Sequence, residues 1–147
     1  MPHHDETRFL PYTAEQMYDL VADVARYPEF LPWTAAARVR EVRQEGEGQV
    51  MLADMVIAFK VFRERYLSRV TLTREPMRID SAFVEGPFRA LHSVWTFAPA
   101  DGGCEVSFTV DFEFRSRILQ TAATVFFNEA MQRIVRAFES RARELYG

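Results

Sequence analysis

Between Cys104 and Phe114 the chain alternates without a break, with Cys104, Val106, Phe108, Val110, Phe112 and Phe114 on one parity and Glu105, Ser107, Thr109, Asp111 and Glu113 on the other. Successive side chains of a strand point to opposite faces, so this segment forms a strand with one dry and one wet face, as in an antiparallel sheet. A dry face has to be covered. The next segment supplies the cover: after Ser116 no Gly or Pro occurs before Gly147. Leu119, Ala123, Phe126, Phe127, Ala130, Met131, Ile134, Phe138, Ala142 and Leu145 recur there at helical spacing, with Arg133, Arg136, Arg141, Arg143 and Glu144 mostly opposite. The spacing predicts a helix of about 30 residues, roughly 45 Å long.

Upstream, the text from Ala37 to Phe114 is β-branched and aromatic, punctuated by Gly46, Gly48, Pro76, Gly86-Pro87, Pro99 and Gly102-Gly103, and reads as six strands. Leu91, Trp95 and Phe97 share one parity, which predicts that Trp95 faces Phe108 across the turn at residues 100–103, because a slip of one residue would set Trp95 against a polar partner. Ahead of the strands, Thr7–Leu10 is extended and Thr13 with Gln16 forms a capping box opening a helix with Met17, Leu20, Val21 and Val24 as its apolar stripe. Asp23 is placed to cap a second short helix through Arg26, Tyr27 and Phe30, which Leu31-Pro32 ends. The result is one domain over residues 1–147, whose size allows a single core.

Composition narrows the function classes. The chain is 48% hydrophobic and 14% aromatic, far from a disordered profile, and its net charge of -3 provides no global field for a phosphate backbone, so DNA is not expected as a partner. The single cysteine, Cys104, excludes an intrachain disulfide and a paired-cysteine zinc site. The first ten residues lack the apolar core of a signal peptide, and no run of ~18 apolar residues occurs, so the expected location is the cytoplasm, with lipid touched or bound and not crossed.

Five separated segments resemble one known family. Residues 12–24, residues 26–33, Tyr66-Leu67-Ser68-Arg69-Val70, residues 86–91 with Trp95-Thr96-Phe97, and residues 137–142 together resemble the coenzyme Q-binding and RatA branch of the START-like (polyketide cyclase/dehydrase) superfamily. The resemblance implies an α+β helix-grip fold: a bent antiparallel sheet of about seven strands around the long C-terminal helix, in the order β-α-α-β6-α, with a hydrophobic cavity between them. It also implies three distinct functions: binding of ubiquinone in support of respiratory electron transfer, ribosome association, and aromatic polyketide cyclisation or dehydration. A shared fold does not choose among them.

The residues themselves offer little for catalysis. His92 and Cys104 fall on opposite faces, and His92 lies outward beside Asp111, which argues against a dyad. His3-His4-Asp5-Glu6 reads as a polar terminus and not a metal cluster. Asp54, Glu64 and Tyr66 are the polar groups of the middle strands able to face inward, and Glu64 and Tyr66 could pair there or recognise a carbonyl or hydroxyl. The chain is therefore expected to be a non-enzyme with no cofactor; the resemblance implies ubiquinone or a similar prenyl lipid as its ligand, carried in support of respiratory electron transfer, with a ribosome-associated regulator and then an aromatic polyketide cyclase as the alternatives. The expected wall comprises Leu31, Trp33, Phe59, Phe62, Glu64, Tyr66, Phe83, Phe88, Leu91, Trp95, Phe112, Phe127 and Met131.

Two surfaces complete the expectation. Met55 to Phe62 forms a hairpin whose tip, Phe59-Lys60-Val61, is apolar and carries the single lysine; it suits the membrane surface, peripheral at the inner membrane of a bacterium. Leu31-Pro32-Trp33 and Gly86-Pro87-Phe88 would ring the same opening. Arg63, Arg65 and Arg69 share one strand face and are the candidate ribosome contact.

Overall fold

Thr13 opens the first helix with both halves of its capping box: its hydroxyl accepts from the Gln16 amide and the Gln16 side chain accepts from the Thr13 amide. The computed structural model describes residues 3–46, 48–59 and 62–147, and the backbone alone for Phe59, Phe62 and Phe126. Helix α1 spans Ala14–Ala22, a 3-10 helix spans Val24–Glu29, and helix α2 spans Arg117–Tyr146 with the Ser116 hydroxyl accepting from the Leu119 amide. The strands are β1 (His3–Leu10), β2 (Thr34–Glu45), β3 (Gly48–Phe59), β4 (Phe62–Arg74), β5 (Met77–Glu85), β6 (Phe88–Ala100) and β7 (Gly103–Phe114). Asp23 departs from expectation: its side chain makes no capping bond and pairs with Arg26 instead.

The seven strands form one bent, open antiparallel sheet in the order β1-β7-β6-β5-β4-β3-β2, the helix-grip arrangement. Trp95 lies directly opposite Phe108, and their rings stack with centroids 4.3 Å apart. Such a pair contributes about 0.5–1.5 kcal/mol beyond the burial of its area. Met17, Tyr18 and Val21 of α1 are buried, with the Tyr18 ring against Phe97. From α2, Phe127, Val135, Phe138 and Ala142 are buried. Leu145, expected in the stripe, is 50% exposed, and Val135 takes a core place that the stripe omitted.

Arg141 also departs from the expected outer side of α2. Its side chain is only 11% exposed, sits over the Phe30 ring at 5.2 Å, and pairs with Glu29 at 2.7 Å and Glu144 at 3.3 Å. The N-terminal strand is less plain than a polar end. His4, Glu6 and Arg8 face inward, and Arg8 bridges Glu6 to Glu139 of α2 while Glu6 also bonds His4. Burial opposes ionisation of Glu6, but hydrogen bonds from Arg8 and His4 outweigh it and hold its carboxyl below the usual range.

Candidate functional site

A cavity of about 570 Å³ lies between the inner face of the sheet, the 3-10 helix with residues 31–34, and α2 from Leu119 to Phe138. That is the size of site that encloses one drug-sized molecule. Of the expected wall residues, Leu31, Trp33, Tyr66, Phe88, Leu91, Trp95, Phe112, Phe127 and Met131 line it. Glu64 and Phe83 do not, although both share the parity of the wall. Phe83 instead packs toward Phe88 at 6.2 Å. The side chains of Phe59 and Phe62, and the whole of Lys60 and Val61, lie outside the described residues, so the proposed membrane-contact tip does too.

Each part of the wall has a local cause. The two-strand turn leading into β6 rests on Tyr66 because residue 86 is glycine: its φ is 152°, and a Cβ there would come within 2.5 Å of the Tyr66 Cβ. Phe88 is therefore buried, with its ring 5.3 Å from Tyr66 and stacked 4.8 Å from Phe114; it closes one end of the cavity and does not belong to a rim. Trp33 adopts a left-handed φ of 62°, and its carbonyl accepts from the Ala58 amide at 2.9 Å, which ties the entry of β2 to the end of β3. On the helix side, Ala122, Glu129 and Arg133 line the cavity and are also solvent-exposed, so this is where it meets the outside. Ile118 and Val125, on the same turns, are 82% and 71% exposed.

The polar groups of the wall differ from those expected. Asp54 lies on the outer face of the sheet, bonded to Arg40 and Arg65; burial opposes its ionisation, and the two guanidinium hydrogen bonds more than compensate, lowering its pKa. Ser68, Ser81 and Ser93 line the cavity and were missed, although the parity of Ser81 with Ile79 and of Ser93 with Leu91 and Trp95 would have found them. Burial pushes the Tyr66 hydroxyl up to about 12. Burial also raises the neighbouring Tyr27, whose hydroxyl donates to the Val21 carbonyl.

Among the described residues Cys104 and His92 are not brought together as a nucleophile and a base. Cys104 is fully buried on the inner face, and burial, followed by the nearby Glu15 charge, raises its pKa, so the thiol stays protonated. His92 is on the outer face, 3.7 Å from Asp80, while Asp111 bonds His3. Among the described residues no group of three or more His, Cys, Asp or Glu is placed to hold a metal ion. No helix among them is long and apolar enough to cross a membrane.

Residues 10–139 match the family described as polyketide cyclase / dehydrase and lipid transport. The chain belongs to that family. Within this START-like group it is 39% identical over 143 residues to the ribosome association toxin RatA of Rickettsia prowazekii, covering 95% of this chain and 94% of that one. It is 34% identical over 150 residues to the mitochondrial coenzyme Q-binding protein COQ10 homolog B of Xenopus laevis, covering 98% of this chain and 59% of that longer protein. The solution structure of an 18 kDa protein from Caulobacter crescentus superposes with a TM-score of 0.82 at 33% identity, covering 100% of this chain and 99% of the other. These named family members are described by association and binding, not by a reaction.

Proposed function

We propose that this chain is a non-catalytic, ribosome-associating regulator whose cavity holds an apolar small molecule. The observation that carries the reading is the 39% identity to a RatA protein over nearly the full length of both chains. A feature of the outer face supports it. Arg38, Arg40, Arg63, Arg65 and Arg69 are exposed on β2 and β4; Arg40 and Arg65 share Asp54, whereas Arg38, Arg63 and Arg69 form no ion pair among the described residues. The patch is local, since the net charge is -3, and local clusters bind phosphate backbones in a salt-dependent way. Replacing Arg63, Arg65 and Arg69 together by Glu is expected to lower cosedimentation with ribosomes by about tenfold or more at moderate salt. Unchanged cosedimentation would remove the patch from this role, and no cosedimentation of the unaltered chain would remove the role itself.

A second reading, a carrier for ubiquinone or a similar prenylated lipid working at a membrane surface, is favoured by the cavity. An isoprenoid tail is insoluble, and burying it offers about 25 cal/mol per Å² of apolar area removed from water. The apolar residues Ile118 and Val125, exposed on the turns of α2 that border the opening, suit contact with a bilayer. Organic extraction of the purified protein followed by mass spectrometry is expected to release a quinone or prenyl lipid under this reading; an empty extract after growth with excess ubiquinone counts against it.

A further inference from the structure

Four hydroxyls cross the inner wall of the cavity as one strip. Tyr66 and Ser68 lie two residues apart on β4, Ser81 follows on β5, and Ser93 sits directly opposite Ser81 on β6. The Ser81 and Ser93 oxygens are 2.9 Å apart, so one hydroxyl donates to the other. Each hydroxyl carries one hydrogen and two acceptor sites, so the pair still has one hydrogen to give and lone pairs to accept with. Tyr66 and Ser68 have no side-chain hydrogen bond among the described residues. These hydroxyls face an otherwise apolar hollow and are free to hydrogen-bond a ligand bearing complementary oxygens.

The charges of the wall are arranged in the opposite sense. Glu129 and Arg133 are the charged lining residues among those described, both are exposed on α2, and they pair with each other at 3.0 Å. Among the described residues no cation of β3 to β7 lines the cavity. A carboxylate or phosphate placed there would lose its water without gaining a counter-charge, a penalty that pairing alone can offset.

We infer that the cavity takes its ligand head first: an uncharged head carrying carbonyl, hydroxyl or ether oxygens docks on Tyr66, Ser68, Ser81 and Ser93, and its apolar remainder lies toward Phe127 and Met131 of α2. This rests on the reading that an apolar small molecule occupies the cavity, and adds which end enters and which head groups are refused. Quinones and prenyl alcohols share this chemistry; anionic lipids do not. Serine and tyrosine hydroxyls are neutral donors across the physiological range, and burial pushes Tyr66 further from ionisation.

Trp33 and Trp95 line the same cavity, so quinone binding is readable by quenching of their fluorescence. The probes are a ubiquinone with a decyl tail, followed directly, and hexadecane, hexadecanol and palmitate as competitors at pH 8. In the unaltered chain the quinone and the alcohol are expected to bind about tenfold or more tighter than hexadecane, and palmitate no tighter than hexadecane. Tyr66→Phe and the double variant Ser81→Ala with Ser93→Ala should each weaken the quinone about five- to tenfold while leaving hexadecane competition unchanged, the size of one or two lost hydrogen bonds. A loss confined to the alcohol in the serine variant would assign the serines to hydroxyl heads and Tyr66 to carbonyls, both within the inference. Quinone affinity within twofold in all variants, or palmitate binding more tightly than the neutral probes, overturns it while leaving an occupied cavity intact. Failure of quinone and hexadecane alike to bind the folded protein overturns the occupied cavity and this inference together.

Discussion

The two ends of α2 are built from the same kind of sequence and meet different environments. Toward the C-terminus Phe138 is 4% exposed and its ring meets Trp95, Phe30 and Tyr27 at 5.0, 5.3 and 5.5 Å. Arg141 is held by Glu29 and Glu144, and the Tyr146 hydroxyl donates to the Gln16 carbonyl at 3.1 Å. Toward the N-terminus Leu119, Ala122 and Ala123 line the cavity, and Phe127, 5.0 Å from Phe112, is the sole buried side chain among those described in the first half. The difference does not come from the helix. It comes from α1, whose Met17, Tyr18 and Val21 fill the space beneath one end and line no part of the cavity, whereas Val24 and Tyr27 of the 3-10 helix belong to its wall. The cavity is the place that α1 does not reach.

That contrast predicts a graded series along one helix. Phe138→Ala should destabilise by about 3–5 kcal/mol, the range for deleting a close-packed aromatic ring. Both rings border the cavity, but Phe127 meets only Phe112 and His4 among the described rings, so Phe127→Ala should cost less than about 3 kcal/mol, and Ile118→Ala should stay within about 0.5 kcal/mol because its side chain touches mainly solvent. Urea unfolding of the three variants checks the order; equal costs at residues 138 and 127 would mean that both ends are packed alike in solution. A smaller effect concerns the filled end. Glu6→Gln should cost about 1 kcal/mol at pH 7, after allowance for solvent screening. The folded pKa of Glu6 is depressed, so its contribution is complete above the unfolded carboxylate value of about 4.3 and disappears as pH falls through the folded value. The difference between Glu6→Gln and the parent should therefore shrink between pH 5 and pH 3; a constant difference would mean that the carboxylate charge is not what Arg8 and His4 hold.

The strand-by-strand layout was legible because alternation and turn residues report burial directly. The pairing of Trp95 with Phe108, the Thr13–Gln16 box and the Ser116 start all follow from local pattern. Glu64 and Phe83 failed as wall residues for a different reason: parity assigns a face, whereas lining depends on where along the strand the overlying helix lifts away. Register shifts between Leu67 and Ser68, and between Phe88 and Ala90, also move side chains in a way that alternation alone cannot show. Arg141 and the inward His4–Glu6–Arg8 row were misplaced because their partners, Glu29 and Glu139, are distant in sequence. The serines were visible by parity but overlooked in favour of larger polar groups.

The open sheet leaves β2 with a neighbour on one side only. A free row of backbone amides and carbonyls is a template on which a strand from another molecule can grow. Here that row is interrupted by two register shifts, and exposed Arg38, Arg40, Glu41, Arg43 and Glu45 stud its length. An incoming strand would have to match the irregular spacing while accommodating those charges, so the flank left open beside the arginine patch is protected against edge-to-edge aggregation by its own irregularity.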